Sequence, residues 1–222
     1  MKSMNELTTR IKAIWTEAFK NKWFLLEFFI SLLSLVFVLL LFSKFTFFVE
    51  ARTGFQFNDP LLRNFEATDL TKIIFLLIYG GMIFAVISLL AYPYKLTILF
   101  EAYALMVCTR LVMMYILPLA PPFGMIILED PFVEFFGTGK TLLNDLFFSG
   151  HTASVFMLYL AVPKKAKPVL LIVALLVPLG VLLQKVHYTV DVLVAPYISF
   201  CSYYIMKLFF YYRYKLLEEE RL

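Results

Sequence analysis

Histidine and cysteine are scarce in this sequence, two of each among 222 residues, and charged residues make up only 16%. Soluble domains carry roughly 25% charged residues. Each shortage excludes something. Cys108 and Cys201 lie within long apolar runs and read as small core residues, so a disulfide scaffold is excluded. With 62% hydrophobic residues and a mean hydropathy of +0.84, the chain is too apolar for a soluble enzyme or a disordered protein. There is no basic groove or recognition motif, which excludes nucleic acid as a partner. Gly137-Thr138-Gly139-Lys140-Thr141 looks like the end of a phosphate loop, but Glu134 stands where the first glycine belongs and no strand precedes it, so no nucleotide is expected.

What is abundant is apolar sequence in long runs. Six segments approach the ~20 residues that cross a bilayer: roughly 23–43, 71–92, 96–118, 146–162, 169–186 and 187–211. The expected fold is therefore all-α, a six-helix transmembrane bundle. The tight turn between the last two spans falls around Lys185–His187. In residues 1–22, Leu7, Ile11, Ile14, Trp15 and Phe19 share one helical face, opposite Lys12, Glu17 and Lys20. This predicts an amphipathic helix lying on the membrane surface. The first apolar run is too long for a signal peptide and no A-x-A-like site follows it, so an uncleaved N-terminus is expected. Residues 23–211 form the membrane domain and 212–222 a charged tail.

Lysine and arginine set the orientation. With the N-terminus inside, the inner segments hold thirteen and the outer segments six, while Arg110 lies within the third span. Both termini are expected on the cytoplasmic side, and His151 and His187 at the outer face of a plasma (inner) membrane. The outer loop 119–145 is acidic, with Glu129, Asp130, Glu134 and Asp145 against Lys140.

Four ionisable residues interrupt the apolar runs: Glu27, Glu101, Arg110 and Asp191. A charge at mid-bilayer costs about 2.5–3.5 kcal/mol on insertion scales, so each needs a partner or a function. Glu27 and Glu101 lie close enough to the cytoplasmic ends to snorkel or pair locally. Arg110 and Asp191 sit at similar depth below the outer face, where they either neutralise each other or serve the histidines.

The histidines decide the emphasis. His187 and Asp191, at i and i+4, share one helical face, so the carboxylate can orient the imidazole and support its cation. His151 follows Ser149 and Gly150 at a helix start, where backbone N–H groups attract anions. Arg110 supplies a bidentate fork for phosphate oxygens. His151, His187 and Asp191 are the candidate catalytic residues, and Arg110, Ser149 and Gly150 the candidate phosphate site. Asp145, Tyr188 and Lys185 are candidate supporting residues. Two histidines and an aspartate could also hold zinc, but the arginine would repel a cation, and neither a metal nor a cofactor is expected.

At these residues the chain resembles the type-2 phosphatidate phosphatase superfamily, and more closely its sphingomyelin synthase-like branch. The segment Asp145-Leu-Phe-Phe-Ser149-Gly150-His151-Thr152 is similar to that branch's D-x-x-F-S-G-H-T motif, and His187-Tyr188-Thr189-Val190-Asp191-Val192 to its H-Y-T-x-D-V motif. Arg110-x-x-x-Met114-Tyr115 is similar to its arginine motif. The chain departs from the classical phosphatases at Phe148 (their P-S-G-H proline), Val181 (an arginine) and Leu117 (the arginine of K-x6-R-P). Val186 stands where animal-type synthases carry an acid. The resemblance implies transfer of a phospho-alcohol head group from a phospholipid to a lipid hydroxyl such as ceramide, or a diacylglycerol-like acceptor, with diacylglycerol released. His187 would be the nucleophile and His151 the acid and base. Asp145 would orient His151, bind an amine or cap the fourth span. Lys185 is either a substitute phosphate cation or a plain interfacial lysine. Hydrolysis of lipid phosphates or polyprenyl diphosphates is the alternative reaction, and a homo-oligomer is left open.

Overall fold

The computed structural model describes residues 2–128 and 143–214, and among them the long regular elements are all helices. In chain order the helices are α1 (Lys2–Lys20), α2 (Lys22–Glu50), α3 (Thr71–Leu89), α4 (Pro93–Ile116), α5 (Gly150–Ala161), α6 (Lys167–Leu183) and α7 (Thr189–Tyr214). A short 3-10 turn covers Leu62–Asn64. Extended pairing among the described residues is confined to one bridge, Phe55 with Leu119. Gly54 is required there, because a Cβ would collide with the Leu119 carbonyl group.

Local chemistry sets the boundaries. Asn21 separates α1 from α2, its side chain accepting the N–H groups of Trp23 and Phe24 at 3.0 and 3.3 Å. α5 begins only at Gly150, where Ser149 caps it, and it stops at Val162 because Pro163 disfavours a helical residue before it.

Among the described residues four helices, α2, α3, α4 and α7, are long and apolar enough to cross a membrane. The 17 residues of α6 and the 12 of α5 rise about 26 and 18 Å at ~1.5 Å per residue, short of a hydrocarbon core of about 30 Å. The expectation of six spans is thus supported by helix length for four. Expected span 146–162 shrinks most, because residues 143–149 spend their backbone on turns and on the cap of α5.

The short α5 is the centre of the bundle, packed against α3, α4, α6 and α7. Its Ala153, Val155, Met157 and Ala161 are fully buried. The outer faces are the reverse of a soluble protein: Phe37 is 66% exposed, Leu76 73% and Leu193 63%. Such a surface suits lipid and not water.

Away from the histidines, Arg213 of α7 holds both intramembrane glutamates, Glu27 at 2.5 Å and Glu101 at 2.8 Å, and Ser31 donates to Glu101 at 3.0 Å. The local pairing expected for these acids is there, with a partner from a distant part of the chain. In α1, Ile11, Ile14, Trp15 and Phe19 turn inward while Leu7 stays 56% exposed. Trp15 donates its indole N–H to the Leu90 carbonyl at 2.7 Å.

Candidate active site

Three irregular segments carry the site: residues 143–149 leading into α5, the turn 184–188 between α6 and α7, and the stretch 51–70 behind them. His187 lies in the turn, outside both flanking helices, and is 1% exposed. His151 is in the first turn of α5. The two rings face each other with centroids 5.9 Å apart and planes at 61°, and Phe75 closes the far side of His151 at 6.5 Å.

Asp191, fully buried, has two tasks. One carboxylate oxygen accepts the Tyr188 N–H at 3.0 Å, as an acid in the first turn does when it reaches back to close a helix start. The same oxygen stands 3.5 Å from His187 Nδ1. That is ion-pair range, longer than a formed N–H···O bond, and a small tightening would complete it. The Ser149 N–H also donates to the Asp191 carbonyl at 3.2 Å, which fastens the start of α5 to α7. Ser149 Oγ accepts the Thr152 N–H at 3.3 Å, leaving the earlier N–H groups of α5 outside the intrahelical ladder.

Arg110, 9% exposed, reaches this helix start from α4. Its guanidinium is pressed against Gly150 so closely that a Cβ there would collide with it. The guanidinium carbon lies 5.3 Å over the Phe42 ring. Nη2 is 2.9 Å from Asp145 Oδ1 and donates to the Asp145 carbonyl at 3.3 Å. The partner of Arg110 is therefore Asp145. Of the roles expected for Asp145, the cap of α5 belongs to Ser149.

Burial drives the imidazole of His187 towards its neutral form, and the nearby Arg110 adds to this. Asp145 and a hydrogen bond to the Leu146 carbonyl oppose it, and the pKa falls from 6.5 to about 3. A neutral imidazole retains the lone pair that a nucleophile needs.

The remaining two candidates lie beside the site. Tyr188 turns away from His187, stacking on Phe57 at 3.9 Å and donating to the Ala120 carbonyl at 2.9 Å. Lys185 has a left-handed backbone, φ 56°, which costs a non-glycine residue about 1–2 kcal/mol. It is 9% exposed, with its ammonium 5.4 Å from the Phe65 ring centroid. Of the acidic segment 119–145, Glu129, Asp130, Glu134, Lys140 and the Gly137–Thr141 stretch lie outside the described residues.

One important residue escaped sequence reasoning. Asp59, 5% exposed, accepts the Thr189 N–H at 2.7 Å, the Thr189 hydroxyl at 3.0 Å, and the N–H groups of Leu61 and Leu62 at 2.9 and 3.2 Å. It pins the first residue of α7 two positions after His187. Burial raises its pKa, but the four donors outweigh this and hold the carboxyl below 3.8. Its stabilising contribution is complete above that value and is lost as the pH falls further. The available signal was Asn58-Asp59-Pro60, a turn-starting sequence. Asp59→Ala is expected to cost about 2–3 kcal/mol and to lower turnover through misplacement of His187, measurable as a lower Tm together with a lower kcat.

Two comparisons with known proteins bear on this geometry. Residues 144–214 match the family model described as PAP2 superfamily C-terminal. The match takes in Ser149, Gly150, His151, His187 and Asp191, with Arg110 outside it, and it supports the type-2 phosphatidate phosphatase superfamily and an enzyme acting on lipid phosphate esters. No curated protein matches the chain.

Proposed function

We propose that the chain moves a phospho-alcohol head group from a glycerophospholipid to a lipid hydroxyl, such as that of ceramide, by two displacements at His187. The observation that carries this reading is the facing pair of histidine rings beside a guanidinium packed on a helix N-terminus. In the first displacement the neutral His187 nitrogen attacks phosphorus and the P–O bond to diacylglycerol breaks. His151, as imidazolium, gives its proton to the leaving alkoxide. In the second, His151 takes the proton of the acceptor hydroxyl, whose oxygen attacks the phosphohistidine, and the N–P bond breaks. Arg110 and the first N–H groups of α5 bind the phosphate oxygens as their charge rises. Asp191 supports the imidazole of His187.

The departures from the phosphatase motifs at Phe148, Val181 and Leu117 favour a lipid acceptor. Water as acceptor, giving a phosphatase of lipid phosphates or polyprenyl diphosphates, is the second reading, favoured by the histidines and aspartate common to both. In either case the substrate is an amphiphile from the bilayer, reached from the outer face of the plasma membrane with both termini inside and α1 along the inner surface.

Product analysis tests the proposal. Purified protein is given a phospholipid labelled in head group and in glycerol, with and without ceramide. Label is expected to move onto ceramide in step with diacylglycerol release. Free phosphate or phospho-alcohol formed at the same rate without ceramide overturns transfer in favour of hydrolysis.

A further inference from the structure

Beside the catalytic turn the structure has a cavity of about 70 Å³, lined among others by Asp59, Arg63, Lys185, Tyr188, Phe57 and Phe123. At ~10–15 Å³ per water-sized position, it has room for on the order of five such positions, the size of a phosphate or a carboxylate with its neighbours. Nothing in the sequence marked it, because its walls come from three distant segments.

Its polar lining is unbalanced. Lys185 is nine-tenths buried, and among the described residues no carboxylate comes within 4.0 Å of its ammonium. A buried lysine without a counter-charge is costly and uncommon. Its Nζ packs on the 122–125 turn, where a Cβ on Gly124 would stand 3.8 Å away. Arg63 adds a second cation from the exposed rim. The one acid in the wall cannot serve a ligand. Asp59 accepts four hydrogen bonds, as many as a carboxylate has lone-pair positions. An ammonium group would meet two cations and a saturated carboxylate, whereas an anion would meet two cations that no carboxylate among the described residues pairs.

We infer that this cavity is a head-group subsite for a second anionic group, a carboxylate or phosphate separate from the phosphorus that His187 attacks. The position fits the role. Lys185 and Tyr188 lie within two residues of His187 in the chain, which places the cavity beside the turn that carries it. This assignment rests on the proposed phosphoryl chemistry for its meaning, but not for its test.

The test compares phosphatidylserine with phosphatidylethanolamine of the same acyl chains as donors, since they differ by one carboxylate. The wild type is expected to favour the serine lipid by about tenfold or more in kcat/KM, the worth of one charge-assisted contact. In Lys185→Asn that ratio should fall towards one, and in Lys185→Arg it should persist. Asparagine tolerates the left-handed backbone, and Arg63→Gln, at an exposed position, gives a second partial loss if the first variant does not fold. A wild type without the preference, or a Lys185→Asn protein that keeps it, overturns the subsite. If neither lipid is a donor, thermal protection by inorganic pyrophosphate decides the subsite alone. Half-maximal protection is expected to need about tenfold more pyrophosphate in Lys185→Asn than in wild type, and equal protection of both overturns it.

Discussion

Under the proposed double displacement, His187→Ala is expected to lose turnover by at least about 10⁴-fold while remaining folded, because the attacking nitrogen has no substitute. The ring is almost wholly buried, so its removal also leaves a small void. The fold tolerates this, since the turn is held by other bonds: Gln184 accepts the Leu70 N–H at 3.0 Å and donates to Thr71 at 2.8 Å. Head-group transfer measured alongside Tm separates the two effects. A variant within tenfold of wild-type turnover at normal expression would sink the assignment.

The same side chain sets a pH dependence of stability with a definite sign. Unfolded, a histidine takes up its proton near 6.5, whereas His187 in the fold does so only at about 3. Between these values the unfolded chain holds one more proton, so stability falls as the pH is lowered from about 6.5 towards 3. His187→Ala should flatten that part of the curve, which denaturation at pH 7 and pH 4.5 would reveal.

Gly150→Ala is expected to cost about 10²–10³-fold in kcat/KM, the loss typical of removing one donor to a developing oxyanion. By helix propensity alone alanine should be the better residue. The added methyl, however, lands on the Arg110 guanidinium. With Asp145 on one side and Phe42 below, the guanidinium can escape only by leaving the helix start it serves. Gly150→Ala and Arg110→Ala should therefore damage the same interaction, and the double variant should be little worse than either alone. Wild-type rates in Gly150→Ala, or full additivity in the double variant, would show that Arg110 does not act at this helix start.

Much of this was legible in the sequence. The all-helical architecture follows from apolar run length, and the turn at residues 184–188 falls where two runs nearly touch. His151, His187, Asp191, Arg110, Ser149 and Gly150 are all visible in the sequence, because polar residues in so apolar a chain stand out. Less legible was anything that depends on which segments meet. Arg110 could have been matched with Asp191 by depth, but the structure gives it Asp145, from an irregular stretch with no periodic signal. Arg213 holds glutamates 186 and 112 positions away in the chain. Asp59 lies in a loop, where apolar periodicity says nothing. The brevity of α5 was missed because hydropathy counts apolar residues whether or not their backbone is helical.

The position of Asp191 has a bearing on how such a protein can change over generations. Its carboxylate closes the first turn of α7 and faces the imidazole, while its carbonyl secures the start of α5. A copy released from selection for activity would still be under selection to fold, and loss of this side chain unravels a helix start. The histidines carry less of that burden and can drift first. A descendant that has given up chemistry should then keep the aspartate after its imidazoles are gone, so the order of loss, and not the bare presence of an acid, would distinguish a retired enzyme from a working one.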